Sequence, residues 1–209
     1  LRDPVNGCPW DKVQTHTSIR MNFLEEAYET VDALDLDDPV LMCEELGDVL
    51  MQVAFHTCME QETGRFTWEQ VCDGVCQKLI ERHPNIFGTQ PGYEGITDWD
   101  ALKNKEKGRR TLADDLESVP RAMPALMRAA KLQKRAARHG AALQGADAAA
   151  LADAAENLQT AQPASAQAEQ AVGELLFAAA NLARQAGVDP EQALQKANEA
   201  FCTAAGPVA

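Results

Sequence analysis

The sequence contains no apolar run near the ~18–20 residues that a membrane-spanning helix requires. Its first residues lack the basic-then-apolar pattern of a secretory signal. The expectation is a soluble, intracellular, cytoplasmic protein with no membrane partner. Positive charge is also short: 19 Lys and Arg face 32 Asp and Glu, for a net charge of -13. That balance argues against a nucleic acid polymer or an anionic membrane as partner. It leaves a cationic partner, or anions delivered through bound metal. The six cysteines (Cys8, Cys43, Cys58, Cys72, Cys76, Cys202) form no CxxC pair and have no His at zinc spacing. They read as reduced, mostly small core residues, without a disulfide framework or zinc site. Strand signals are nearly missing as well, so the fold class is all-α.

What is present suits a globular protein, with 45% apolar and 24% charged residues over a length of 209. The composition breaks along the chain. Residues 141–209 hold 25 alanines, with eight acids against two bases, whereas residues 1–110 carry nearly all the aromatics and the clustered acids. Between them an acidic opening leads into a basic helix bearing Arg128, Lys131, Lys134, Arg135 and Arg138, which Gly140 stops. The expected organisation is one lobe over 1–110, a connector helix over 111–139 and an Ala-rich lobe over 140–209.

Apolar residues recur at three and four in 18–35 and again in 40–59, which predicts two amphipathic helices. Asp37-Asp38-Pro39 starts the second, since Pro suits a first helical turn and Asp its N-terminus. A third helix is expected from Trp68 to Arg82, capped by Thr67 and ended by His83-Pro84, and a fourth from Trp99 to about Gly108, introduced by Thr97 and Asp98. A short internal repeat is visible: EELGDVLMQVAFHT at 44–57 is echoed by QAVGELLFAAANLA at 170–183, and Gln77-Lys78 by Gln195-Lys196. Two helical-bundle copies of one unit, the second degenerate, is the economical reading.

The chemistry lies in the acids of the first two helices. Glu25, Glu26 and Glu29 fall on one and Glu44, Glu45 and Asp48 on the next, and i, i+3 spacing stacks Glu26 on Glu29 and Glu45 on Asp48. Apolar neighbours (Leu24, Ala27, Tyr28; Leu46, Val49, Leu50) would draw these regions towards the core. Carboxylates massed there repel unless they share a cation, and oxygen donors without His or Cys favour Mg²⁺ or Mn²⁺ over zinc. A solvated acidic face is the alternative. A di-iron carboxylate bundle is disfavoured, because its Glu-x-x-His pairs are missing.

LEEAYE at 24–29 followed by EELGD at 44–48 resembles the EExxE, spacer, ExxD signature of the all-α nucleoside triphosphate pyrophosphohydrolases. NGCPWDKVQTH at 6–16, ERHPNIFG at 81–88, WDALKNKE at 99–106 and PRAMPALMRAAKLQKRAARHG at 120–140 resemble segments of the MazG family. The resemblance implies a Mg²⁺-dependent, helical, usually homodimeric hydrolase that cuts nucleoside triphosphates to the monophosphate and pyrophosphate, working from 1–110. It assigns metal ligation to Glu26, Glu29, Glu45 and Asp48. Lys78, Arg82 and Lys103 suit the phosphates, one turn separating the first two. By the resemblance Trp99 would stack on the base, and Gln14 and His16 stand at positions near the nucleotide pocket. Glu25 would position or deprotonate the attacking water.

The second copy departs from this pattern: Glu156 and Glu174 remain, but Gln159 stands where Glu29 does and Ala171 where Glu45 does. A metal-poor, inactive second lobe is therefore expected, serving as a supporting or dimerisation surface. The rival from another class is a non-catalytic nucleotide-binding or regulatory module on a degenerate fold.

Overall fold

In the computed structural model, the residues described are 1–84, 86–88 and 99–206, with backbone alone for Trp99, Asp100, Ala101 and Lys105. Among them the chain forms α-helices and a 3-10 turn at Asp11–Val13, and no strand. The helices are α1 (His16–Asp35), α2 (Pro39–Glu62), α3 (Trp68–Arg82), α4 (Trp99–Glu106), α5 (Leu112–Glu117), α6 (Ala125–Arg138), α7 (Ala148–Thr160), α8 (Ala166–Gln185) and α9 (Pro190–Ala205). Contacts divide the chain into two compact units, Leu1–Thr97 and Asp98–Ala209.

The helix starts are set by local side chains that accept hydrogen bonds from otherwise unpaired backbone N–H groups. Thr15 and Ser18 form a reciprocal capping box at α1, and Thr67 and Gln70 do so at α3. Asp38 caps α2 by accepting from Val40 N and Leu41 N, with Pro39 in the first turn. The basic helix α6 ends ahead of Gly140, whose φ of 68° belongs to the left-handed region that glycine enters freely. Thr97 and Asp98, expected to introduce α4, lie outside the described residues.

In the first unit α1 pairs with α2, and α3 packs on α2. Ile19, Ala33 and Met59 are its buried apolar side chains. Burial differs from expectation at the acidic stretch: Tyr28, Leu46 and Leu50 are 51%, 51% and 56% exposed. Among the described residues nothing buries these side chains fully, so apolar periodicity locates them without supplying their cover. The cysteines are likewise not core residues, for Cys43, Cys58, Cys76 and Cys202 are exposed and Cys8 and Cys72 half-buried, all as free thiols.

The second unit is held by small residues and a polar knot. Ala154, Ala171, Ala178 and Ala180 are fully or almost fully buried where α7 and α8 meet or within α8, and their small side chains allow close helix approach at little entropic cost. Residues 111–139 hold two helices, α5 and α6, and α6 packs on α8. There the buried Gln133 donates to the carbonyl of Phe177 at 2.7 Å. Asp115 of α5, 1% exposed, pairs with Arg135 at 3.0 Å and with His139 at 3.1 Å. Burial opposes the Asp115 charge, but hydrogen bonds from Asn104 and His139 and the nearby Arg135 hold its carboxyl below the usual range.

Candidate active site

The two-helix hairpin of the first unit brings its acids together. One carboxylate oxygen from each of Glu26, Glu29 and Glu45 lies within 4.8 Å of the other two. Among the described residues this is the one such group of three or more His, Cys, Asp or Glu side chains. Glu26 and Glu45 are half-buried and Glu29 is exposed. Asp48, half-buried and one turn beyond Glu45, lies outside the group of three but close enough for its charge to act on Glu45. Glu25 and Glu44 point to solvent.

Lost hydration and crowded like charges both raise proton affinity, and Glu29 and Glu45 show it. Glu29 is raised by lost hydration, then by the charges of Glu45, Glu26 and Glu25. Glu45 is raised by lost hydration, then by Asp48, Glu44 and Glu26. The set contains only oxygen donors and has no cationic side chain paired into it among the described residues, which is the arrangement a hard divalent cation fits.

One participant was not read from the sequence. Gln52, 7% exposed, reaches from α2 to α1 and donates its Nε2–H to Glu26 Oε1 at 3.3 Å. Its signal was spacing: Glu45, Asp48 and Gln52 fall at i, i+3 and i+7, one stripe of one helix.

The remaining candidates are distributed. Lys78 is exposed on α3 and Arg82, one turn on, is half-buried. Lys103 is exposed on α4, in the second unit. Trp99 begins α4, and its side chain lies outside the described residues. Gln14 uses both ends of its amide locally, donating to the carbonyl of Trp10 at 2.9 Å and accepting from Ser18 Oγ at 2.7 Å. Arg2 reinforces that turn through the carbonyls of Asp11 and Gln14 while gripping Glu62.

His16 is not solitary. Its ring stacks on that of His56, 5.0 Å between centroids, with Nδ1 2.7 Å from Nδ1. Its Nε2 lies 2.5 Å from Glu60 Oε1, which Arg65 also holds at 2.6 Å. One proton arrangement satisfies all of this with both rings neutral: His56 Nδ1–H donates to His16 Nδ1, and His16 Nε2–H donates to Glu60. Burial and the neighbouring His16 lower the His56 pKa, against the pull of Glu60.

Comparison with known proteins agrees with the acidic signature. The MazG nucleotide pyrophosphohydrolase domain model matches residues 14–87, a span that includes Gln14, the six acids of α1 and α2, Lys78 and Arg82. The nucleoside triphosphate pyrophosphohydrolase of Escherichia coli (strain K12) is 41% identical over 210 residues, covering 96% of this chain and 80% of that protein. A Thermotoga maritima protein named nucleoside triphosphate pyrophosphohydrolase/pyrophosphatase MazG is 39% identical over 203 residues, 96% of this chain and 78% of its own. The nucleoside triphosphate pyrophosphohydrolase of Mycobacterium tuberculosis is 38% identical over 136 residues, 63% of this chain and 41% of its own.

Proposed function

The chain belongs to the MazG nucleotide pyrophosphohydrolase family, and from that membership we infer that it is an enzyme hydrolysing nucleoside triphosphates to the monophosphate and pyrophosphate. The observation that supports the α1–α2 hairpin as its working part is the approach of Glu26, Glu29 and Glu45 to within 4.8 Å. We read these three with Asp48 as the seat of a divalent cation, Mg²⁺ first and Mn²⁺ second. Such a cation, when bound, supplies a bridge to phosphate oxygens and acidifies coordinated water.

The chain's own side chains account for the rest. Glu25, exposed beside the seat, orients the attacking water and accepts its proton as the oxygen adds to the α-phosphorus. The bond to the bridging oxygen breaks in line, and pyrophosphate leaves with the electron pair. Lys78 and Arg82 balance phosphate charge, Arg82 with the planar fork that suits phosphate oxygens. Lys103 is read as a further cation suited to phosphate, and Trp99, on family resemblance, as stacking on the base. Gln14, its amide spent within its own turn, serves by shaping that turn.

Homodimerisation is the reading that the exposed Tyr28, Leu46 and Leu50 support, since a second copy would cover them. The second unit is read as a non-catalytic support. Ala171, standing where Glu45 does in the first copy, is buried at 2% exposure and offers no donor. The test is pyrophosphate release from a panel of ordinary and modified triphosphates. Release with Mg²⁺, abolished by EDTA and restored by excess Mg²⁺, is expected; no release from any member of the panel contradicts the assignment.

A further inference from the structure

The basic helix singled out in the sequence has no part in the chemistry above, and its charge is concentrated. Residues 98–209 carry 13 of the 19 basic residues but only 14 of the 32 acidic ones, so the net charge of -13 resides almost entirely in the first unit. Within the second unit Arg135 is committed to Asp115. Arg135 also reaches the wall of a cavity of about 650 Å³ that Lys131 and Lys134 of α6 line together with Arg184 of α8. Lys131 and Arg184 are half-buried and Lys134 is exposed. Among the described residues none of the three forms an ion pair. Arg184 donates from Nε to Asn181 at 2.9 Å, which aims its guanidinium without neutralising it. Asp189 is the one acid in the lining, and its Oδ1 is taken by the backbone N–H of Gln192. Met127 and Val188 add apolar wall.

Three like charges facing one cavity raise one another's electrostatic energy within a Debye length of ~8–10 Å. A multivalent anion removes that cost, and a volume of a few hundred Å³ suits a small molecule. Lysine ammoniums and a guanidinium from separate helices match the spread oxygens of a phosphate group better than a single carboxylate. We propose that the cavity between α6, α8 and the start of α9 is a binding site for a small phosphorylated anion, independent of the carboxylate seat and of any divalent cation.

The test is calorimetric titration of the full chain in EDTA with inorganic pyrophosphate and, separately, with a nucleoside monophosphate. Saturable binding of either probe is expected, weakened by added salt and reduced at least about tenfold in the Lys131→Gln/Lys134→Gln double variant. Glu45→Ala, which disables the seat in the first unit, should bind the probe as wild type does. Pyrophosphate binding more tightly than the monophosphate assigns the site to phosphate charge; the reverse order assigns a nucleoside to Met127 and Val188. Circular dichroism checks folding, and Lys134→Gln alone, on an exposed side chain, replaces the double variant if that is misfolded. Binding of neither probe, undiminished binding in the lysine variant, or loss of binding in Glu45→Ala overturns the proposal.

Discussion

Gln52 shows how one neutral side chain can organise a charged site. Its amide approaches Glu26 from the opposite helix and adds no positive charge, so it can orient the carboxylate without competing for it as an arginine would. Gln52→Ala should therefore raise the Mg²⁺ concentration needed for half-maximal activity by about tenfold while leaving the rate at saturating Mg²⁺ within a few-fold of wild type. A Mg²⁺ titration of pyrophosphate release measures both, and Mn²⁺ binding followed by spin resonance gives the same affinity without turnover. Spacing made the six acids legible, because i, i+3 is a local property of a helix. The role of Gln52 is not legible in the sequence, because it depends on a partner 26 residues away.

Element boundaries were the most readable level, since caps are short-range. Asp38-Pro39, Thr67 and Gly140 stand where α2 and α3 begin and α6 ends. The contacts between elements were not readable, and the His16–His56 pair joining α1 to α2 is the clearest case. That pair carries a pH dependence. The folded state lowers the His56 pKa below the ordinary 6.5, so near and below that pH the unfolded chain binds more protons. The stabilisation is fully present above pH 6.5 and is lost as pH falls through the lowered value. Thermal melts from neutral to mildly acidic pH should show a falling midpoint, and His56→Leu should flatten that slope. An equal slope in the variant would remove His56 as its source.

For the whole molecule, hydrophobic periodicity marked the inner faces of α1 and α2 without saying what lies against them. Leu50, 56% exposed, and Tyr28 and Leu46, each 51% exposed, are large apolar side chains left half open to solvent among the described residues. Covering such side chains removes apolar surface from water, which is the driving force the proposed homodimer would draw on. On the proposed homodimer, sedimentation should give twice the 22.7 kDa of one chain, and Leu50→Asp should shift it towards the single-chain mass; a single-chain mass for the wild type would contradict the dimer. The charge follows the same division: acidity belongs to the unit with the carboxylate seat, while the second unit is nearly neutral and carries most of the cations.

The central claim is that clustered carboxylates of the first unit, through a shared divalent cation, carry out the hydrolysis. Its most direct test is pyrophosphate release by wild type and Glu45→Ala side by side at saturating Mg²⁺, with helical content verified. A loss of at least about 100-fold is predicted, the equivalent of roughly 3 kcal/mol of transition-state stabilisation. Unchanged release from the folded variant would contradict the account.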